Sequence, residues 1–167
     1  MKTFREYLRE TEQHSANSES SKSDTSGTYA SLKLDEESKT QLSKWLTDNV
    51  KIANSVSPDE YHCTVVYSKI PVPEVANINP KLPIKASMVR WEIFGIGEEK
   101  MLVLVIAGAG LQKLFKQTRK LGATWDFDNY TPHITVATNY TETTVPEIIP
   151  QFSLLLNKFV CESLIER

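Results

Sequence analysis

Tyr61-His62-Cys63-Thr64-Val65 and Pro132-His133-Ile134-Thr135-Val136 share one order, histidine, any residue, threonine, valine, in a chain with only three histidines. In an extended strand, side chains two apart point to the same side, so each string presents an imidazole and a hydroxyl together. Cys63 and Ile134 turn to the opposite face. Two such pairs brought together would surround one small cavity with two proton-transfer groups and two neutral hydrogen-bond donors. That combination suits general acid-base catalysis at a phosphate.

Outward from each string the chain repeats an order of elements. Tyr29 to Leu34 is strand-like, and Asp35 is placed to cap a helix running to about Val50, with Leu42, Trp45 and Leu46 on one face. A loop then leads to a strand over Tyr61 to Ser68. In the second half Met101 to Ile106 is an apolar strand, a helix follows from about Leu111 to Leu121 with Gly122 closing it, and the strand His133 to Thr138 comes next. The halves therefore read as a structural duplication carried by element order, without residue-level repetition beyond the tetrapeptide. Between them lie a proline-rich loop over about residues 70–83 and a long strand from Ile84 to Phe94. A strand pair or bent strand from Phe152 to Ile165 ends the chain. Strands outnumber helices, which predicts an α+β fold with mixed or antiparallel sheet.

At 167 residues and 40% hydrophobic content the chain can bury one real core, so a single domain is expected. Its body begins near Thr28. The first eight residues have the spacing of a short amphipathic helix through Phe4, Tyr7 and Leu8, and residues 12–27, rich in Ser, Asn, Asp and Thr, read as a flexible linker. His14 lies in that linker and reads as solvated. No run approaches the roughly 18 to 20 apolar residues of a membrane span, and the N-terminus lacks the apolar core of a secretory signal, so a cytosolic protein is expected. Residues 28–167 carry 15 basic and 16 acidic groups, a balance that argues against gripping long nucleic acid and leaves room for a small anionic ligand. Cys63 and Cys161, each inside an apolar segment, read as buried reduced thiols.

Cleavage of a ribose phosphodiester by its own 2'-hydroxyl needs one neutral imidazole to take a proton and one imidazolium to give one. Histidine, with an ordinary pKa of about 6.5, serves both roles near neutrality. His62 and His133 are thus the candidate acid-base pair, with the hydroxyls of Thr64 and Thr135 as donors to the charge that develops on the phosphoryl oxygens. Zinc is the competing chemistry. Neither histidine has a second ligand at i+2 or i+4, and Asp126 and Asp128 sit in a loop, so no metal and no cofactor is expected.

The paired HxTV strings resemble the signatures of the two-histidine (2H, LigT-like) phosphoesterase superfamily, over about residues 28–167. The resemblance implies a bilobed fold of two pseudo-symmetric β-sheet lobes with flanking helices. It also implies metal-independent phosphodiester chemistry at His62 and His133, with Thr64 and Thr135 on the phosphate. Within that superfamily, Gly27-Thr28-Tyr29, Val89-Arg90-Trp91-Glu92, Tyr130-Thr131-Pro132 and Glu162 make the chain resemble the phage anti-CBASS nucleases. These degrade the 3',5'-linked cyclic di- and trinucleotides that bacteria use as immune alarms.

That closer resemblance implies nucleobase stacking by Tyr29 and Trp91, and Glu162 accepting from a base edge or the ribose. From the residues alone, Tyr29 could instead pack in the core and Trp91 could be the inward member of an alternating strand. Residues 1–11, with Leu8-Arg9-Glu10 fitting a head-protease cleavage rule, resemble the capsid-targeting peptides of large tailed phages. Packaging in the virion head and action in the host bacterial cytoplasm would follow. A 2',3'-cyclic phosphodiesterase or RNA-ligase-like enzyme acting on RNA ends, a non-catalytic cyclic-nucleotide-sequestering protein and a virion structural protein are the alternatives. A homodimer that closes the pocket is left open.

Overall fold

The computed structural model describes residues 27–95, 99–127 and 129–164. The N-terminal helix expected over the first eight residues, the linker up to Ser26, Asp128 and Ile165 lie outside them. Strand β1 (Gly27–Leu34) starts two residues earlier than expected and runs into helix α1 (Glu36–Asn49). Asp35 caps that helix by accepting from the Ser38 N–H at 2.7 Å, and Glu36 and Glu37 complement the positive end of its dipole. β2 (His62–Ser68), β3 (Ile84–Phe94) and β4 (Met101–Ala107) follow. Helix α2 (Ala109–Lys120) stops where Gly122 turns to φ +107°, letting the Gly122 and Ala123 N–H groups close on the carbonyls of Arg119 and Thr118. β5 (His133–Ala137) and β6 (Leu154–Leu164) complete the sheet. β6 is one bent strand, which settles the choice between a bent strand and a pair. None of the described helices is long and apolar enough to cross a membrane.

The sheet order is β2-β1-β6-β3-β4-β5, and every described strand pair is antiparallel. β3 joins the halves: Ile84 to Ala86 pair with β6, and Ser87 to Phe94 pair with β4. One lobe is therefore β2-β1-β6 and the other β3-β4-β5. The duplication extends to register. His62 and Thr64 stand opposite Lys33 and Ser31, while His133 and Thr135 stand opposite Val105 and Val103. In both lobes the pairing then skips one residue, Val65 in β2 and Val136 in β5. The valine of each tetrapeptide is thus the extra residue of a bulge, which re-aims the strand just past the threonine.

Direct cross-strand partners share a face, so the sheet has two distinct sides. One side carries Leu32, Cys63, Leu104 and Ile134 and packs against Leu42 and Leu46 of α1 and Leu111 and Leu114 of α2, forming the main core. On the other side a smaller buried cluster joins Tyr29, Tyr67 and Leu164 of the first lobe to Met101, Val103 and Val105 of the second. That second cluster floors the face from which the HxT side chains project.

Candidate active site

β2 and β5 are the two ends of the strand order, yet they touch, because the sheet curls until its edges meet. Tyr130 pins the closure. Its hydroxyl donates to the Thr64 carbonyl at 2.8 Å and lies 3.7 Å from Cys63 Sγ, while its ring stacks on Phe115 with centroids 4.2 Å apart. On the far side of β5, the Val56 N–H donates to the Val136 carbonyl and the Thr138 N–H to the Asn54 carbonyl. The chain entering β2 thus runs alongside β5, and the two histidine strands are held together by backbone on one side and Tyr130 on the other.

Each histidine is oriented in the same way. His62 Nδ1 lies 2.8 Å from the Glu60 carbonyl and His133 Nδ1 lies 2.7 Å from the Thr131 carbonyl, in both cases two residues upstream. A carbonyl only accepts, so each Nδ1 carries the proton, and in the neutral ring Nε2 is the basic atom. Burial lowers the pKa of His62, opposed by the Glu60 carbonyl and assisted by the positive charge of Lys33. Burial likewise lowers His133, to about 4, opposed by the Thr131 carbonyl and assisted by His62 itself. A proton on His62 therefore disfavours one on His133. The edge of the Phe94 ring packs on His133 with centroids 4.7 Å apart.

The threonines differ. Thr64 Oγ1 shares a 2.8 Å hydrogen bond with the Tyr29 hydroxyl. Thr135 Oγ1 is buried and has no hydrogen-bond partner among the described residues. Tyr29 is itself 4% exposed, and burial pushes its phenol well above its ordinary pKa, so it stays a neutral donor or acceptor. Its ring is packed into the floor of the site with its hydroxyl on Thr64, leaving no open face of the kind base stacking was expected to use. Glu162 stands directly opposite Tyr29 on β6, half-buried on the same face.

Trp91 requires a correction. It pairs with Leu104, which pairs with Ile134, so its side chain belongs to the helix side of the sheet. It is 5% exposed, stacks on Trp45 of α1 with centroids 6.3 Å apart, and its Nε1–H donates to the Ile148 carbonyl at 2.9 Å. Its neighbours Arg90 and Glu92 take the site face, opposite Val105 and Val103, and form an ion pair with each other. Trp125 packs edge-on to Phe115. Cys63 is a buried free thiol raised to about 11, and Cys161 is also free but only half-buried, short of the burial expected for it. Asp126 pairs with Lys69 at 3.4 Å, and among the described residues no three His, Cys, Asp or Glu side chains gather as metal ligands.

The residues that orient the site were only partly visible in sequence. In sequence Tyr130 reads as part of the approach to His133, while its clasp on β2 depends on how distant strands meet. Lys33 carries only the signal of a strand lysine among apolar neighbours.

The model of the family described as anti-CBASS protein Acb1 matches residues 26–166. The anti-CBASS protein Acb1 of Enterobacteria phage T4 is 33% identical over 115 residues, covering 69% of this chain and 74% of that protein. Its counterpart in Acinetobacter phage Ac42 is 32% identical over 111 residues, 66% of this chain and 72% of that protein. Among solved structures, Escherichia coli LigT complexed with NADP+ superposes with a TM-score of 0.60 at 16% identity, covering 83% of this chain and 87% of that one. TT0787 of Thermus thermophilus gives 0.61 at 15% identity, covering 80% and 86%. The last two are likenesses of fold.

Proposed function

The chain belongs to the anti-CBASS protein Acb1 family, and on that premise we propose that it cleaves 3',5'-linked cyclic di- and trinucleotides by histidine acid-base catalysis without a metal, disarming CBASS immunity in the host cytoplasm. The observation that carries the chemistry is the matched pair of Nδ1-to-carbonyl hydrogen bonds. They fix His62 and His133 in the same tautomer on one face of the curled sheet. Two such rings, each with a threonine two residues on, are the minimum needed to move one proton in and one proton out around a phosphate.

The reaction proceeds by attack of a ribose 2'-oxygen on the adjacent phosphorus. The 2'-proton passes to Nε2 of a neutral histidine as the O2'–P bond forms, and the P–O5' bond breaks as the other, protonated histidine delivers its proton to O5'. The product carries a 2',3'-cyclic phosphate, opened to a 3'-phosphate when a water oxygen bonds to phosphorus, giving its proton to the histidine that had protonated O5', and the P–O2' bond breaks as the other histidine returns its proton to O2'. His133, held at about 4, is neutral across the neutral range and takes the base role, leaving the acid to His62. Thr135, with its unpartnered hydroxyl, and Thr64, oriented by Tyr29, donate to the phosphoryl oxygens. Glu162 beside Tyr29 accepts from a base edge or the ribose.

Incubation in EDTA with cyclic dinucleotides, cyclic trinucleotides and 2',3'-cyclic mononucleotides, with products resolved by chromatography, tests this directly. Turnover of a 3',5'-linked cyclic substrate in the chelator is expected. Turnover of 2',3'-cyclic ends alone would instead favour action on RNA ends, and tight binding without turnover a sequestering protein. Residues 1–11 add a delivery route, packaging in the phage head, which purified virions would reveal as a chain beginning at Thr11.

A further inference from the structure

The first lobe places two lysines where a sheet ordinarily avoids them. Lys33 of β1 is directly opposite His62 on one side and directly opposite Lys158 of β6 on the other. All three side chains therefore share the site face, in a row across β2, β1 and β6. Like charges directly opposite each other in a sheet are destabilising. Among the described residues no carboxylate lies within ion-pair distance of either lysine, whereas Arg90, the site-face cation of the other lobe, is paired with Glu92. Lys33 is half-buried and Lys158 exposed, so the pair runs from beside the histidine out to the rim. The body of the protein is nearly neutral, so this positive charge is local.

We propose that Lys33 and Lys158 form an anion subsite beside His62 that holds the phosphodiester of the substrate not being cleaved. The subsite deepens the reading given above and rests on it. A cyclic oligonucleotide always carries at least two phosphates, and when one sits between the histidines the next must lie along the ring to one side. With strands roughly 4.8 Å apart, Lys33 is one strand from His62 and Lys158 about two, so the pair extends away from the scissile phosphate. The same arrangement links recognition to chemistry. Lys33 disfavours the imidazolium of His62, and an anion bound to Lys33 offsets that charge, so His62 gains its proton when a substrate with a second phosphate is in place.

The test uses the full chain, its Lys33→Met and Lys158→Met variants and the double variant, with Lys33→Arg and Lys158→Arg as charge-retaining controls and thermal melts to confirm folding. Calorimetric binding of adenosine 3',5'-bisphosphate is expected to weaken about tenfold for each lysine removed, and to recover in the arginine variants. Binding of adenosine 3'-monophosphate is expected to weaken less. In turnover, the double variant is expected to lose preference for a cyclic dinucleotide over a 2',3'-cyclic mononucleotide by about tenfold or more, chiefly through KM. The His62 imidazole followed by NMR is expected to titrate higher in Lys33→Met. Equal loss for both probes, unchanged bisphosphate affinity in the double variant, or no bisphosphate binding by the wild-type chain would each overturn the subsite. Absence of turnover on every 3',5'-linked cyclic substrate, with the binding pattern intact, would overturn the functional reading and leave the subsite standing.

Discussion

The two lobes place the same tetrapeptide at the same register and then surround it differently. In the first, His62 faces Lys33, and Thr64 is tied to Tyr29; in the second, His133 faces Val105, and Thr135 has its hydroxyl buried without a partner among the described residues. Position for position, Tyr29, Ser31 and Lys33 of β1 correspond to Met101, Val103 and Val105 of β4. The fold is symmetric where it sets direction and asymmetric where it sets electrostatics. That difference suits the proposed acid-base pair, since unlike environments push the protonation of two titratable groups apart.

The largest effect that bears on the comparison is loss of either ring. His62→Ala and His133→Ala are each expected to lower turnover of a cyclic dinucleotide by about a thousandfold. Full turnover in either variant would dissolve the pairing altogether. Next comes pH. Folding brings His133 from an unfolded value of about 6.5 down to about 4, so the unfolded chain binds a proton that the folded chain refuses. Its contribution to stability is complete above about pH 6.5 and is lost as pH falls through 4, on the order of 3 kcal/mol. Melts between pH 7.5 and 4.5 are expected to fall less steeply in His133→Asn than in the wild-type chain. Equal slopes would mean that burial does not hold His133 below its ordinary value.

Much of this was legible in sequence because it rests on short-range rules. Asp35 and Gly122 punctuate helices through their own chemistry, and period-2 alternation put Thr64 beside His62 and Thr135 beside His133. What could not be read was set by register between distant strands. A bulge at Val65 returns Tyr67 to the site face, and another at Val89 decides that Arg90 and Glu92, not Trp91, look into the site. Neither bulge leaves a mark such as glycine. The aromatic expected at the base therefore lies on the wrong side, and Tyr29, on the right side, is used through its hydroxyl. Closure of β2 on β5 by Tyr130 depends on curvature of the whole sheet, which no local window contains.

The threonines offer a finer cut, because their valine variants should move stability in opposite directions. Thr135→Val removes a buried hydroxyl that has no partner among the described residues, so it is expected to leave stability unchanged or raise it, while turnover falls about a hundredfold. Thr64→Val leaves the Tyr29 hydroxyl short of a partner and is expected to cost about 1 kcal/mol as well as turnover. Thermal melts on the two variants side by side decide this. Equal destabilisation would mean that Thr135 has a partner in the folded protein and that the lobes are more alike than described.

The smallest effect concerns the face that the comparison assigns to Trp91. Trp91→Phe keeps an aromatic ring but deletes the Nε1–H that donates to the Ile148 carbonyl and shortens the stack on Trp45. A partly buried carbonyl left without its donor and a thinner contact between β3 and α1 are expected to cost about 1 kcal/mol of stability. The Michaelis constant for a cyclic dinucleotide should stay within about twofold, because the ring lies on the helix side of the sheet. A stacking residue would behave in the opposite way. If Trp91→Phe melted like the wild-type chain while Trp91→Ala lost affinity for substrate alone, β3 would have to present its other face to the site. Arg90 and Glu92 would then exchange places with Trp91, and the second lobe would regain the aromatic that its register denies it.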